Sequence, residues 1–289
     1  MEEARLRQFL QEFDFASQAP ELSAADQRVY KYYLLGGCVI GCTLGGDWFA
    51  RQITAKKKPT AHFRADAIPD QRPWRFISRV GELGELIYNL QNVEGFDGRL
   101  ASIRTAKGDG VEAGIAELAA GKLFKVNDIP FRFVKESKVK RADYDIEYAT
   151  LDSRLGRCEV KCKLQSNDFT VNGIRNILKA AKDQLPKGDG TGIVLLRIPE
   201  EWWDPWAKPA GLTAVSSAVE EFFAKEKTTR ISSVLVLQHR TDIREGHMAQ
   251  FLLCKEHPNP HCSIKSGLPP LREAPPPRSV WTPLLAVVN

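Results

Sequence analysis

The sequence contains no long apolar run, and this absence argues against a membrane or secreted protein. Its most apolar stretch, residues 32–46, is too short and too rich in glycine to span a bilayer. The first residues, MEEARLRQFLQEF, open with acids and contain no apolar core of a signal peptide. We therefore expect a cytoplasmic protein.

Disulfide frameworks and phosphate-binding glycine motifs are also missing. Six Cys in 289 residues are unremarkable, and Cys158 and Cys162 fall on the apolar face of a predicted strand, so we expect reduced thiols. No G-x-G-x-x-G sequence follows a strand, which argues against a dinucleotide-binding domain. The glycines between residues 36 and 46 are instead expected to interrupt a helix that begins at Ser23.

Charge is present in both signs but is unevenly distributed. The chain is 43% apolar and 27% charged, which is the balance of a protein that buries a substantial core. Its formal net charge is +5, and residues 120–185 alone have 14 Lys and Arg against 9 Asp and Glu. A basic segment around an acidic pocket would suit a polyanionic substrate. A solvated basic surface explains the same charges equally well.

The segment 141–163, RADYDIEYATLDSRLGRCEVKCK, contains two alternating runs separated by a polar turn. Such alternation predicts the two strands of a hairpin, with polar side chains on one face. That face gathers Asp143, Glu159 and Lys161. Two carboxylates a strand apart can share a hard divalent cation, and an ammonium group beside them can hold or activate a water molecule. The hairpin is therefore the candidate site of metal-assisted chemistry.

An Asp that opens one strand, followed by Glu-x-Lys on the next, resembles the signature of the PD-(D/E)xK nuclease superfamily. Asp143 stands for the Asp of this signature and Glu159 and Lys161 for its Glu-x-Lys, while Ala142 replaces the usual preceding Pro. The resemblance covers roughly residues 108–262. It implies a restriction-endonuclease-like core of the α/β class, in which helices flank a mixed central sheet.

The order of predicted elements supports this resemblance, because the superfamily also shows helix, three strands, helix and strand. The first helix is expected at residues 111–123, and the three strands at 130–135, 143–149 and 157–163. The second helix is expected at 172–185 and the next strand at 192–199. A further helix around residues 215–223 precedes a buried strand at 231–238, which can pair with 247–255.

The resemblance implies a metal-dependent endonuclease that hydrolyses phosphodiester bonds, in DNA rather than RNA. Asp143 and Glu159 would hold Mg²⁺ or Mn²⁺, together with a backbone carbonyl such as that of Val160. Lys161 would stabilise the charge that develops on the phosphate or orient the attacking water. Asp145 is the alternative to Asp143, since the two share one face of the strand.

Relatives often add a Glu from the first core helix to this site. Glu117 lies in the middle of the predicted helix and is preferred to Glu112, which falls on a different face. Glu82 or Glu85 would take this role if the helical segment that starts at Arg79 were the true first core helix. Glu147 is expected to be an outer or structural acid.

Polar residues after the motif are expected to contact nucleic acid. Gln165 follows Lys161 by four residues, where some members of the superfamily keep a polar residue near the scissile phosphate. The full set of expected nucleic-acid contacts is Lys163, Gln165, Arg175, Lys179 and Lys182. A solvated helix face is an equally good explanation of the three basic residues between 175 and 182.

Three segments are expected along the chain. Residues 1–107 form an α-rich extension of unknown role, in which a helical stripe starts at Arg79 and continues to a break at 106–110. Residues 108–262 form the nuclease-like core. Residues 263–289 form a Pro-rich arm whose apolar end docks on its own chain or on a partner. A homodimer, and a catalytically silent module for nucleic-acid binding or assembly, are further possibilities.

Overall fold

The computed structural model describes residues 3–12, 23–54, 63, 73–135, 143–163, 169–187, 192–199, 202, 210–244, 247–271 and 276–287. Its helices are α1 (Glu3–Glu12), α2 (Ala24–Leu44), α3 (Gly46–Thr54), α4 (Pro73–Leu90), α5 (Phe96–Thr105), α6 (Asp109–Val126), α7 (Val171–Gln184), α8 (Ala210–Glu226) and α9 (Leu284–Val287). Its strands are β1 (Phe131–Phe133), β2 (Ile146–Ala149), β3 (Leu155–Cys162), β4 (Gly192–Arg197), β5 (Ile231–Arg244) and β6 (His247–Pro258). Among the described residues, no helix combines the length and the hydropathy that a bilayer crossing needs.

The six strands form one mixed sheet in the order β1-β2-β3-β4-β5-β6. The pairs β1–β2 and β2–β3 are antiparallel, β3–β4 and β4–β5 are parallel, and β5–β6 is antiparallel again. The two parallel connections contain α7 and α8, as parallel pairs require a long crossover. Helices flank the sheet, so the expected α/β class with a mixed central sheet is confirmed.

The elements from α6 to β4 follow the predicted order of helix, three strands, helix and strand. The β2–β3 hairpin is antiparallel, with Ile146 opposite Cys158, and the Thr150 amide closes its turn by donating to the Arg154 carbonyl at 3.0 Å. The predicted pairing of the last two strands is also present. Period-two alternation therefore located the strands, although β2 begins three residues later than expected.

The glycines of α2 do not interrupt the helix, which corrects the expectation from the sequence. α2 is continuous to Leu44, and the hydroxyl of its N-cap residue Ser23 accepts a hydrogen bond from the Asp26 amide. Gly36 lies at the crossing with α4, where an added Cβ would meet the Val80 carbonyl oxygen at 2.5 Å. Glycine is needed here because the two helix backbones approach each other closely.

The helical segment that starts near Arg79 is also corrected, because it consists of two helices rather than one. α4 ends at Leu90, and α5 begins at Phe96 after a turn. Gly95 in this turn has φ 81°, a conformation that favours glycine, and the preceding Glu94 carbonyl accepts a hydrogen bond from the Phe133 amide of β1. The turn thereby joins the helical layer to the edge of the sheet.

Two apolar cores cover the two faces of the sheet. The smaller core lies between β4, β5, α7 and α8 and includes Val194 and Phe222. The larger core includes Leu6 near the start of the chain, Leu118 of α6 and Leu284 near the end. The three segments expected from the sequence therefore share one buried core on this second face.

The end of the C-terminal arm docks on its own chain. Trp281 and Leu284 are buried, and Trp281 Nε1 donates a hydrogen bond to Glu85 Oε1 at 2.8 Å. The Leu284 amide donates to the other Glu85 oxygen at 3.1 Å. Asn89 accepts a hydrogen bond from the Thr282 amide and donates one to the Thr282 carbonyl. The arm is thus fixed along α4 by paired polar contacts.

Candidate active site

The end of the β2–β3 ladder brings Asp145 beside Glu159, and we call these two residues the acid pair. The ladder ends at Ile146 opposite Cys158, and the Asp145 amide, just before β2, donates to the Cys158 carbonyl at 3.0 Å. Asp145 Oδ2 accepts a hydrogen bond from the Val160 amide at 2.7 Å. This bond holds the Asp145 carboxylate against β3, close to Glu159.

Asp145, rather than Asp143, is the aspartate that the structure brings to Glu159. Asp143 precedes the start of β2 by three residues, and the same register sets it opposite Lys161, two residues beyond the acid pair. An alternating pattern cannot separate the two aspartates, because both fall on the same face of a strand. The structure therefore favours the alternative, Asp145, and the choice between the two aspartates as metal ligand stays a prediction.

Glu159 is a buried carboxyl group with one oxygen engaged. Its residue is 1% exposed, and Oε1 lies 2.6 Å from Lys161 Nζ. Oε2 is buried and has no hydrogen-bond partner among the described residues. Burial and, second, the charge of Asp145 raise the pKa of Glu159 to about 8, while Lys161 and Arg99 act in the opposite direction. The two oxygens of Glu159 therefore differ, since Oε1 is paired with Lys161 and Oε2 has no hydrogen bond among the described residues.

Lys161 is held between two elements beside the acid pair. Its Nζ contacts Glu159 on its own strand and donates a hydrogen bond to Gln184 Oε1 at the end of α7. The ammonium group therefore has a fixed position in a partly buried site. Gln184 was not identified from the sequence, since no local pattern links the end of α7 to β3.

Glu117 reaches the acid pair through an arginine that sequence reasoning did not identify. Arg99 of α5 is buried, and its Nη1 lies 2.6 Å from Glu117 Oε2 and 3.6 Å from Asp145 Oδ1. Its Nη2 donates to the carbonyls of Val134 and Asp145. We use the name acid cluster for Asp145, Glu159, Lys161, Glu117 and Arg99. The choice of Glu117 over Glu112 as the helix carboxylate stays a prediction.

The acid pair offers oxygen ligands of the kind that Mg²⁺ and Mn²⁺ prefer. The buried Oε2 of Glu159 and the raised pKa of this group fit an added cation, which would compensate the facing carboxylates. Among the described residues, however, no group of three or more His, Cys, Asp or Glu has the geometry of a metal site. The Val160 carbonyl as a further ligand stays a prediction, and the Val160 amide is already bonded to Asp145.

The other candidate acids have structural partners elsewhere. Glu82 pairs with Arg197 and His239, and Glu85 holds the C-terminal arm. Glu147 pairs with Arg132 of β1 and accepts a hydrogen bond from the Tyr144 hydroxyl, so it is the structural acid that the sequence indicated. Glu112 is buried near the start of α6.

The expected nucleic-acid contacts are only partly placed by the structure. Lys179 and Lys182 both form ion pairs with Glu226 of α8, so they join two helices rather than stand alone in solvent. Arg175 Nη1 donates to Asn172 in the first turn of α7. Lys163 directly follows β3, and its amide donates to the Arg197 carbonyl. Gln165 lies outside the described residues.

The sequence gives one weak indication that Arg99 is buried. It lies one helical turn from Phe96 and Ile103, with which it shares the buried face of α5. A charged residue within an apolar stripe indicates a buried partner, but the stripe was not recognised because α5 is only ten residues long. Neither Glu117 nor Asp145 could be named as its partner without the fold.

Comparison of the chain with models of known protein families, with curated proteins and with solved structures gave no match.

Proposed function

We propose that this protein is a metal-dependent nuclease of the PD-(D/E)xK superfamily, with a restriction-endonuclease-like core between α6 and β6. The observation that carries the proposal is the neighbouring acids Asp145, just before β2, and Glu159 of β3, with Lys161 two residues after Glu159. The order of elements from α6 to β4 and the position of Glu117 on the preceding helix give further support.

The chemistry follows from the charges of the site. A bound divalent cation would lower the pKa of a water ligand and offset negative charge on a phosphate group. Asp145 and Glu159 would hold this cation, since carboxylate oxygens are the ligands that it prefers. Lys161 would donate a hydrogen bond to a phosphate oxygen as negative charge develops there. Gln184 keeps the ammonium group in place without neutralising it.

The surrounding charge supports a nucleic-acid substrate. Residues 120–185 contain the acid pair and carry 14 Lys and Arg against 9 Asp and Glu. Basic residues around a metal-binding acid pair attract a phosphate backbone and reduce its repulsion by the acids. DNA is the proposed substrate, and RNA is the alternative that the test includes.

The proposal is tested by incubating the full chain with linear duplex, supercoiled plasmid, single-stranded DNA, branched DNA and RNA, with Mg²⁺, Mn²⁺ or EDTA. We expect cleavage of at least one substrate, loss of cleavage in EDTA, and loss in Lys161→Ala. Lys225→Ala is the matched control, because Lys225 forms an exposed ion pair with Glu221 of α8, away from the acid cluster. It should cleave like the wild type.

Two other outcomes would decide against a nuclease. Binding without cleavage, weakened steeply by salt, would support a catalytically silent nucleic-acid-binding module on the same fold. Cleavage that persists in Lys161→Ala would show that activity comes from a contaminant or from another site. In both cases the acid cluster would lose its proposed catalytic role.

A further inference from the structure

Two of the six cysteines lie one helical turn apart near the end of α2. Cys42 is exposed and Cys38 is partly buried, and both are free thiols. Residues four apart in a helix share one face, with their Cβ atoms about 5–6 Å from each other. The Cys38 thiol is affected by a hydrogen bond with Cys42 and by its charge, so the two sulfur groups are neighbours. This end of α2 therefore presents a pair of thiols rather than an isolated one.

The other four cysteines, all of which the structure describes, are in different surroundings. Cys158 is fully buried in the larger core, and Cys162 and Cys254 pack against that core. Cys262 Sγ donates to two backbone carbonyls near the end of β6. Of the six, Cys42 alone is exposed, and its neighbour Cys38 is the thiol that can reach it.

A disulfide between Cys38 and Cys42 needs a change in the backbone of α2. The two Cβ atoms would have to lie about 3.5–4.5 Å apart, which is closer than an intact helix allows. Residues 36–46 contain five glycines, each of which weakens a helix relative to alanine. Gly41 lies between the two cysteines, and no neighbouring element among the described residues comes within 4 Å of a Cβ built there. Packing at Gly41 therefore does not oppose a shift of the backbone.

The remaining contacts of this segment show what such a shift would change. Val39 and Ile40 are buried in the larger core and anchor the opposite side of the helix. Thr43 Oγ1 donates to the Val39 carbonyl at 2.7 Å, and the Thr43 carbonyl accepts a hydrogen bond from Arg104 Nη2 of α5 at 2.6 Å. Unwinding between residues 38 and 43 would break these two bonds and alter the contact between α2 and α5.

We propose that Cys38 and Cys42 form a reversible disulfide that unwinds the end of α2 when the protein meets hydrogen peroxide. The Cys42 thiolate attacks one peroxide oxygen, which leaves a sulfenic acid on Cys42, and the departing hydroxide takes the thiol proton and becomes water. The Cys38 sulfur then attacks the Cys42 sulfur, the S–S bond forms, and the hydroxyl group leaves with the Cys38 proton as a second water molecule. The two sulfurs lose two electrons in total, and the peroxide gains them.

The surroundings of the two thiols assign their order of reaction. Burial and, second, the charge of Cys42 raise the pKa of Cys38 to about 11, so the exposed Cys42 is the thiol that attacks first. Conversion of Cys42 to a neutral sulfenic acid removes its charge from the neighbourhood of Cys38. A transient disulfide of this kind agrees with the reduced thiols expected from the sequence. The inference does not depend on the proposed nuclease activity.

The test treats the full-length protein with hydrogen peroxide, blocks the remaining thiols with iodoacetamide and analyses the tryptic peptides by mass spectrometry. Cleavage after Lys31 and Arg51 gives one peptide, residues 32–51, that contains both cysteines. We expect this peptide to lose two hydrogens and to take up no label, and dithiothreitol should restore both thiols. Cys262→Ser is the matched control and should still form the bond.

Two results would overturn the disulfide. One is a labelled 32–51 peptide after peroxide treatment, and the other is a bond from either residue to a different cysteine. In Cys38→Ser the sulfenic acid on Cys42 should persist and react with dimedone. Absence of this adduct would contradict the attacking role of Cys42.

Gly41→Ala tests the unwinding separately. The added Cβ meets no neighbouring element, and alanine favours the helix, so the ratio of disulfide to dithiol in a glutathione buffer should fall about fivefold. Gly46→Ala also adds a Cβ in open space, but outside the segment between the cysteines, and it should leave the ratio unchanged. An unchanged ratio in Gly41→Ala would show that α2 does not unwind and would overturn this part of the proposal.

Discussion

The acid cluster can be compared with a second buried group of charges on the same sheet, in which Glu82 of α4 meets Arg197 of β4 and His239 of β5. In this Glu82 triad, one glutamate uses both oxygens, with Arg197 Nη2 at 3.2 Å from Oε1 and His239 Nδ1 at 3.1 Å from Oε2. The carboxylate is 3% exposed, and basic side chains provide its compensation.

The acid cluster differs in the neighbours of its buried glutamate. Glu159 lies beside a second carboxylate, that of Asp145, and its Oε1 is paired with Lys161, while its Oε2 has no hydrogen bond among the described residues. A buried glutamate between basic side chains is typical of a structural ion pair, whereas an acid held beside a second acid has a raised pKa of the kind that clusters at functional sites. The comparison teaches that the charge of the neighbouring groups, rather than burial, separates the candidate active site from a structural cluster.

Asp145→Asn should have the largest effect, because it removes one of the two facing carboxylates. If the protein is the proposed nuclease, we expect its cleavage rate to fall by at least about 10²–10³-fold. The reason is that charge stabilisation at the reacting phosphate depends on the Asp145 carboxylate. Asp143→Asn is the matched control and should retain most of the activity. Cleavage rates of both variants under Mg²⁺ are the measurement, and a larger loss in Asp143→Asn would restore Asp143 as the ligand.

Glu82→Gln should damage the fold and spare the chemistry. It leaves the partly buried Arg197 and the buried His239 without their shared carboxylate, a loss that typically costs about 3–5 kcal/mol of unfolding free energy. Urea unfolding monitored by circular dichroism measures the change, and cleavage per folded molecule should stay at the wild-type level. If the variant is fully folded but inactive, Glu82 is the helix carboxylate of the site.

The pH dependence of stability should distinguish the two clusters further. Burial and the neighbouring charge of Asp145 raise the pKa of Glu159 in the folded protein to about 8, from a usual value of 4.5. The folded state therefore binds more protons between these values, and stability should fall as pH rises from about 5 to 8, by on the order of 2–4 kcal/mol.

Glu159→Gln should abolish most of this dependence and should be more stable than the wild type at pH 8. Addition of Mg²⁺ at pH 8 should stabilise the wild type but not this variant. The measurement is the unfolding free energy at several pH values, with Glu82→Gln as the control that keeps the slope. The same pH dependence in Glu159→Gln as in the wild type would show that the pKa of Glu159 is not raised.

Local periodicity was sufficient for much of the fold. Alternation located β2 and β3, and the amphipathic stripe of α7 placed its buried residues Ile174 and Leu178 correctly. Gly36 was misjudged because its role depends on a helix crossing more than forty residues away in the sequence, at Val80 and Gly81. A local pattern indicates helix propensity, but it does not indicate which other helix packs against a given residue.

The candidate site could likewise be predicted from the sequence only in part. Glu159 and Lys161 follow from Glu-x-Lys on an alternating strand, because two residues of one strand always share a face. Asp145 could not be chosen over Asp143, since only the pairing register decides which of them meets Glu159. Arg99 also required the fold, because its acidic partners lie on α6 and β2.

Glu226→Gln should give the smallest effect and concerns a third group of charges, which is only partly buried. Glu226 pairs with Lys179 and Lys182, and such surface pairs contribute about 0.2–1 kcal/mol, so stability should change little.

The substitution also releases both lysines from their acidic partner. If α7 contacts the proposed nucleic-acid substrate, the salt dependence of binding should become steeper, by about 0.9 in slope for each additional phosphate contact. Glu221→Gln on the same helix is the control and should leave the slope unchanged. An unchanged slope in Glu226→Gln would place the two lysines in the contact between α7 and α8 alone, and the expected phosphate-binding role would then be limited to Lys163, Gln165 and Arg175.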